Sequence, residues 1–165
     1  MKKIRYFFEY ISLSLILGIA RILPANTASN TGGWIGRRVG PRLAASRKAI
    51  KNISRAFPDK SEQECHDIVR GMWDNLGRVI FEYPHLKTIA LNNVELSGKD
   101  LLDLYKDQPA IIFAAHMGNW EMGPISCYQL SGFVTHSLYR APNNSMVDRM
   151  LKKARSPDGV LGCLL

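Results

Sequence analysis

His116 and Glu121 are the residues of this chain whose types and spacing could do chemistry. They bracket the stretch "HMGNWE", with Gly118, Asn119 and Trp120 among the residues between them. A histidine that titrates near neutrality can take a proton from a hydroxyl. A carboxylate within hydrogen-bond reach fixes the imidazole tautomer and stabilises the imidazolium that forms. Gly118 gives a tight turn between the two its backbone freedom. A structural account of the same residues stays open. Glu121 in the first turn of a helix is favoured by the helix dipole alone, and His116 could be a satisfied side chain at a strand end. No serine or cysteine nucleophile stands beside the histidine, and neither a G-x-S-x-G elbow nor a phosphate-binding glycine loop occurs. Direct attack by a substrate hydroxyl therefore fits better than a covalent intermediate on the protein.

The elements that must position this pair read as strand, helix, strand. Ala110 to Ala115 is a run of six apolar residues without alternation, the pattern of a strand buried on both faces. Residues 119–130 are predicted as a helix, broken near Pro124. "GFVTHSLYR" (132–140) alternates like a second strand. Upstream, "TIALNNVEL" is a short apolar segment followed by a turn at Gly98, and "KDLLDLYKDQP" reads as a short helix with Leu101, Leu102 and Tyr105 inward. This order predicts an α/β layer fold, in which reactive groups gather where strands end and helices begin.

Further upstream the signals are helical. Ser61 with Glu64 makes a capping box, and Ile68, Val69, Met72, Leu76, Val79, Ile80 and Tyr83 recur at helical spacing, which predicts a helix over 62–83 ended by Pro84. Trp73 lies among them as a packing residue. Residues 24–33, "PANTASNTGG", are predicted as a break rich in turn formers, with Pro24 ending the first helix. Residues 34–57 carry Arg37, Arg38, Arg42, Arg47, Lys48, Lys51 and Arg55 and no acidic residue. Soluble faces usually mix both signs, so this segment reads as a basic surface toward phosphate-bearing headgroups or an acidic protein, with a solvated helix face as the alternative.

Residues 1–23 place Lys2, Lys3 and Arg5 before a mostly apolar run that Glu9 and Arg21 interrupt. The clean run, Tyr10 to Ala20, is about half of the roughly 20 residues that span a bilayer. A cleaved signal, a spanning helix and an interfacial or tilted anchor all remain open, and the basic flank with its short run fits the anchor best. The whole chain has 165 residues, 46% hydrophobic and 22% charged, which excludes a disordered chain and suffices for one domain with a core. A net charge of +8 suits nucleic acid, anionic lipid or an acidic protein. Cys65, Cys127 and Cys163 have no ligand-like spacing, so free thiols are expected and no metal site.

"HMGNWE" resembles the H-x(4)-D/E box of glycerolipid acyltransferases. Its Asn-Trp-Glu ending is similar to the branch of late acyltransferases of lipid A biosynthesis, and "KNISRAFPDKS", "MWDNLGRVIFEYPHL" and "LYRAPNN" agree with that branch over nearly the whole chain. The resemblance implies a glycerolipid-acyltransferase-like mixed sheet flanked by helices, behind an N-terminal membrane-anchor helix (1–23), with residues 24–165 the first part of the acyltransferase domain. The family sheet continues past "ARSPDG", so the C-terminal half of the fold is expected to be missing.

The implied roles are His116 as general base on a hydroxyl of a lipid A precursor, Glu121 as its orienting partner, and Gly118 and Asn119 as shapers of the turn. Arg140 is implied near the anionic substrate or the developing oxyanion. The implied donor is a thioester on acyl carrier protein, an acidic partner; no metal or redox cofactor and no nucleic acid is implied. The implied location is the cytoplasmic face of the inner membrane. Two alternatives stand beside this: an acyltransferase using a glycerophosphate acceptor, and an inactive truncated fragment or membrane-associated binding module.

Overall fold

The computed structural model of the chain describes residues 2–105, 108–155 and 162–164. Its α-helices are α1 (Lys2–Ile22), α2 (Ala25–Val39), α3 (Ala44–Ala56), α4 (Glu62–Glu82), α5 (Leu86–Asn92), α6 (Lys99–Leu104), α7 (Met122–Ser131) and α8 (Ser145–Arg155). Short 3-10 turns at Gly40–Arg42 and Tyr83–His85 lead into α3 and α5. Strands β1 (His136–Leu138) and β2 (Gly162–Leu164) pair in parallel, His136 opposite Gly162.

Helix α4 starts where the sequence predicts. The Ser61 hydroxyl accepts from the Glu64 N–H at 3.3 Å while the Glu64 carboxylate accepts from the Ser61 N–H at 2.8 Å, so two otherwise orphaned donors are satisfied. Val69, Val79 and Phe81 bury its apolar stripe. Tyr83, just past its end, joins Val79, Leu86, Ala90 and Ile125 in the core cluster that underlies the candidate site, with Leu17, Trp120 and Leu151 packed against it.

The turn-rich break expected at 24–33 is instead the first part of α2. Pro24 ends α1 as predicted and stands immediately before α2, where its missing N–H is no loss. Glycine, read in isolation as a breaker, is here what lets two helices touch. A Cβ on Gly77 would meet the Gly32 carbonyl, one on Gly36 the Trp73 carbonyl, and one on Gly40 the Trp73 ring. Backbone contact across this seam offsets the low helix propensity of its glycines. Arg37 and Arg78 both pair with Asp74 along the same seam. Gly77→Ala is expected to destabilise the fold by about 2 kcal/mol, since the added methyl meets backbone and cannot be evaded by a rotamer. The urea midpoint measures it, and a variant as stable as the parent would show that the seam opens freely.

The α/β mixed-sheet expectation is overturned. The described residues are predominantly helical, and their only strand pairing is β1 with β2, three residues each. The six apolar residues 110–115 form no strand; they run irregularly with Ile111 and Phe113 82% and 92% exposed. A strand exists only through its ladder partners, and among the described residues none lies beside this segment. The apolar part of "TIALNNVEL" is helix α5, and the second predicted strand shrinks to His136–Leu138. Helix α6 and the Gly98 turn, with φ at +75°, fall where expected, but Leu101 and Tyr105, expected inward, are exposed and Leu102 alone of the three is half-buried.

The anchor-helix part of the expectation is corrected as well. Among the described residues no helix is long and apolar enough to cross a membrane. Helix α1 carries Glu9 in an ion pair with Arg5, and it lies against the body of the fold. Asn144 Nδ2 donates to the Tyr6 carbonyl at 2.7 Å, and a His85 ring nitrogen sits 2.9 Å from the Ala20 carbonyl.

Candidate active site

The "HMGNWE" turn is clamped to α4 by polar side chains. Asn75 Nδ2 donates to the Gly118 carbonyl at 2.9 Å. Asn119 Nδ2 donates to Glu82 Oε2 at 2.6 Å, and the other Glu82 oxygen accepts from Ser29 Oγ at 2.6 Å. Asn119 Oδ1 in turn accepts from the Glu121 N–H at 3.1 Å, a side-chain turn that opens α7. Pro124, expected to break this helix, sits in its first turn, where no intrahelical bond is lost.

Gly118 has φ at +55°, the left-handed region, with open space where a Cβ would stand. Gly118→Ala is therefore expected to cost about 1 kcal/mol through backbone strain alone. Thermal unfolding reads it, and a stability equal to the parent's would mean the turn relaxes to negative φ.

Glu121, at the N-cap of α7, is 8% exposed and fully engaged. Arg155, the last residue of α8, grips it bidentately: Nε donates to Oε2 at 2.6 Å and Nη2 to Oε1 at 2.8 Å. The Tyr83 hydroxyl donates to Oε1 at 2.6 Å, and the Trp120 indole N–H reaches the same oxygen at 3.2 Å. Arg155 Nη2 also donates to the Tyr83 oxygen at 3.1 Å, closing a triangle. Burial pushes the Glu121 carboxyl upward, but the hydrogen bonds from Arg155 and Tyr83 with the guanidinium charge outweigh it and hold the group below the ordinary carboxylate range. Burial, then the bond to charged Glu121, push the Tyr83 phenol well above its ordinary value, so it stays a neutral donor. The bond to Glu121 raises Arg155 further, so it stays charged.

His116 lies exposed at the edge of the same site, its ring against Trp120 with centroids 5.0 Å apart. Among the described residues no hydrogen bond joins His116 to Glu121; the carboxylate oxygens face Arg155, Tyr83 and Trp120 instead. His116, Trp120, Glu121, Arg140 and Arg155 line one cleft of about 490 Å³, together with Ser137 and Tyr139 of the β1 region. Thus three residues singled out in the sequence, His116, Glu121 and Arg140, come together. Gly118 and Asn119 do not line the cleft; they build the turn that presents the other two.

Arg155 and Tyr83 were not singled out. Tyr83 was assigned only to the inward stripe of a helix. Arg155 belongs to a segment for which no element was predicted, although Asn144 caps α8 by accepting from the Met146 N–H at 3.1 Å, and an Asn-Ser pair before an amphipathic run is a legible helix start. Tyr139 steadies Arg155 from the other side. The guanidinium lies 5.0 Å from the Tyr139 ring centroid, and the Tyr139 hydroxyl donates to Asp148 Oδ1 at 2.5 Å. Among the described residues no group of three or more His, Cys, Asp or Glu converges as metal ligands would.

A cleft with an exposed imidazole at its rim, an ionised carboxylate on its floor and two guanidinium groups can accept a proton and stabilise a developing negative charge. Comparison with curated proteins and with solved structures finds no match. Comparison with protein families matches residues 1–161 to the bacterial lipid A biosynthesis acyltransferases. That match spans both the "HMGNWE" turn and Arg155, and on this basis the chain belongs to the bacterial lipid A biosynthesis acyltransferase family.

Proposed function

We propose that this chain transfers a fatty acyl group from the thioester of acyl carrier protein to a hydroxyl of a lipid A precursor, at the cytoplasmic face of the inner membrane. His116 takes the proton from the acceptor hydroxyl as its oxygen attacks the thioester carbonyl carbon. The oxyanion that forms is met by Arg140 and Arg155. When it collapses, the C–S bond breaks, the ester remains on the acceptor, and the leaving thiolate takes the proton back from the His116 imidazolium. Glu121 serves as the negative partner of that imidazolium. In this reading the imidazole leaves the Trp120 ring and turns toward the carboxylate when substrate fills the cleft, as hydrogen bonds of catalytic pairs tighten in the reactive complex.

The observation that carries the reading is the convergence of His116, Glu121, Arg140 and Arg155 on one cleft in a chain of this family. A glycerophosphate acceptor is the competing reading within the same chemistry. Offering the protein acyl carrier protein thioester with either a lipid A precursor or glycerol 3-phosphate separates them. Acylation of the precursor alone is expected, and acylation of glycerol 3-phosphate at an equal or greater rate would overturn the assignment of the acceptor.

A further inference from the structure

Glu82, the last residue of α4, is half-buried and enters no ion pair among the described residues. Both of its oxygens are instead met by neutral donors. Ser29 Oγ of α2 donates to Oε1 at 2.6 Å, and Asn119 Nδ2 donates to Oε2 at 2.6 Å. Taking a carboxylate out of water without a cation costs free energy, and an amide of the same shape would carry no charge to desolvate. What the carboxylate alone offers is two acceptors and no donor. An amide would turn an N–H toward one of the two neighbours.

That difference sets the sense of every link in a chain of hydrogen bonds. Arg78, held by Asp74 through Nε at 3.0 Å, is a donor only, and its Nη1 donates to Ser29 Oγ at 3.2 Å. The Ser29 hydrogen is left for Glu82. Glu82 in turn admits only the Nδ2 side of Asn119, so Asn119 Oδ1 faces the other way and accepts from the Glu121 N–H at 3.1 Å. With the Asn119 amide reversed, one of its N–H groups would face the Glu121 N–H and its oxygen would face a carboxylate. Glu82 is not among the residues that line the cleft, yet its charge decides how Asn119 holds the residue at the start of α7.

We propose that Glu82 is a positioning residue for the candidate site. Through Asn119 it fixes the backbone of Glu121, and with it the turn that brings His116 to the rim of the cleft. Asn75 Nδ2 holds the Gly118 carbonyl of the same turn at 2.9 Å, but that bond leaves the Asn119 amide free to reverse. The part Glu82 plays in acyl transfer rests on the function proposed above.

The test exchanges the two groups. Asn119→Asp sets two carboxylates face to face. Glu82→Gln removes the charge that orients the amide. Glu82→Gln combined with Asn119→Asp keeps the net charge, restores one donor facing one acceptor, and still leaves an oxygen for the Glu121 N–H. The charged neighbours along the chain, Arg78 and Glu121, are the same in every variant. Displacing reacting groups by about 1 Å costs up to about 10²-fold, so kcat per folded molecule is expected to fall roughly tenfold or more in Asn119→Asp, and less in Glu82→Gln. KM for the acyl thioester should stay unchanged, and the exchange should return kcat to near the parent's. Two facing carboxylates take up a shared proton as pH falls, so the deficit of Asn119→Asp relative to the parent should shrink toward acid pH, while the exchange shows no such trend.

The His116 ring reports the turn without turnover, because the Trp120 ring, 5.0 Å away between centroids, displaces its proton resonances. These should move in Asn119→Asp and return in the exchange. If Asn119→Asp does not fold, Glu82→Gln, which adds no charge, supplies the loss that the exchange must reverse. An exchange no better than the single variants, an unchanged kcat per folded molecule in all three, or unmoved His116 resonances would overturn the proposal. A parent that transfers no acyl group, but whose His116 resonances respond in this way, would sink the proposed activity and leave the positioning of the turn standing.

Discussion

His116→Ala is expected to lower kcat for acyl transfer by about 10³-fold, the usual worth of a positioned general base. The fold should barely register the change. His116 is exposed, and among the described residues its ring contact is with Trp120 alone, so the shift in stability should stay within about 0.5 kcal/mol. This separation of activity from stability is what makes the variant informative. A comparable loss of activity accompanied by unfolding would mean the imidazole is needed for the turn. Retention of activity in a folded variant would remove His116 from the mechanism and shift proton transfer to another group in the cleft.

The second large effect concerns Arg155. Arg155→Met keeps most of the volume but leaves Glu121, 8% exposed, without its bidentate partner. Removing one member of a buried ion pair strands the other's charge, and a loss of about 3 kcal/mol is expected at neutral pH. The sign of the pH dependence follows from the lowered carboxyl of Glu121. Its contribution is present above the ordinary carboxylate pKa near 4.5 and is lost as pH falls through the depressed folded value. In the variant, burial is opposed only by the bonds from Tyr83 and Trp120, so that carboxyl rises and its protonated form is tolerated in the site. The gap between parent and variant should therefore narrow as pH drops below about 4.5. Urea unfolding at neutral and acid pH reads both effects. A constant gap across pH would show that Arg155 contributes packing alone, and Arg155→Met combined with Glu121→Gln should recover part of the neutral-pH loss.

What could be read from the sequence was local. The Ser61 and Glu64 side chains sit three apart and cap a helix whatever surrounds them, and α4 began where they said. Pro24 ended α1, and Gly98 turned before α6, for equally local reasons. That His116 and Glu121 line one cleft follows from the short turn between them, whereas the hydrogen bond expected between the two is not made. Elements that depend on a partner far along the chain were not legible. An apolar run such as 110–115 fits a strand or an exposed irregular segment, and only ladder neighbours decide between them. Gly32 and Gly33 looked like breakers because the residues they pack against, Gly77 and Asp74, lie about 40 positions on. Arg155 reaches Glu121 across 34 residues, and nothing in the sequence distinguishes it from the neighbouring lysines.

A structure of the protein with a non-hydrolysable acyl thioester analogue tests the central claim most directly, that acyl transfer takes place in the cleft shared by His116, Glu121, Arg140 and Arg155. The account predicts the analogue's carbonyl carbon inside that cleft, with the carbonyl oxygen toward the arginines and the His116 imidazole swung off Trp120 toward the reacting centre. An analogue bound away from the cleft, with His116 still against Trp120, would contradict it.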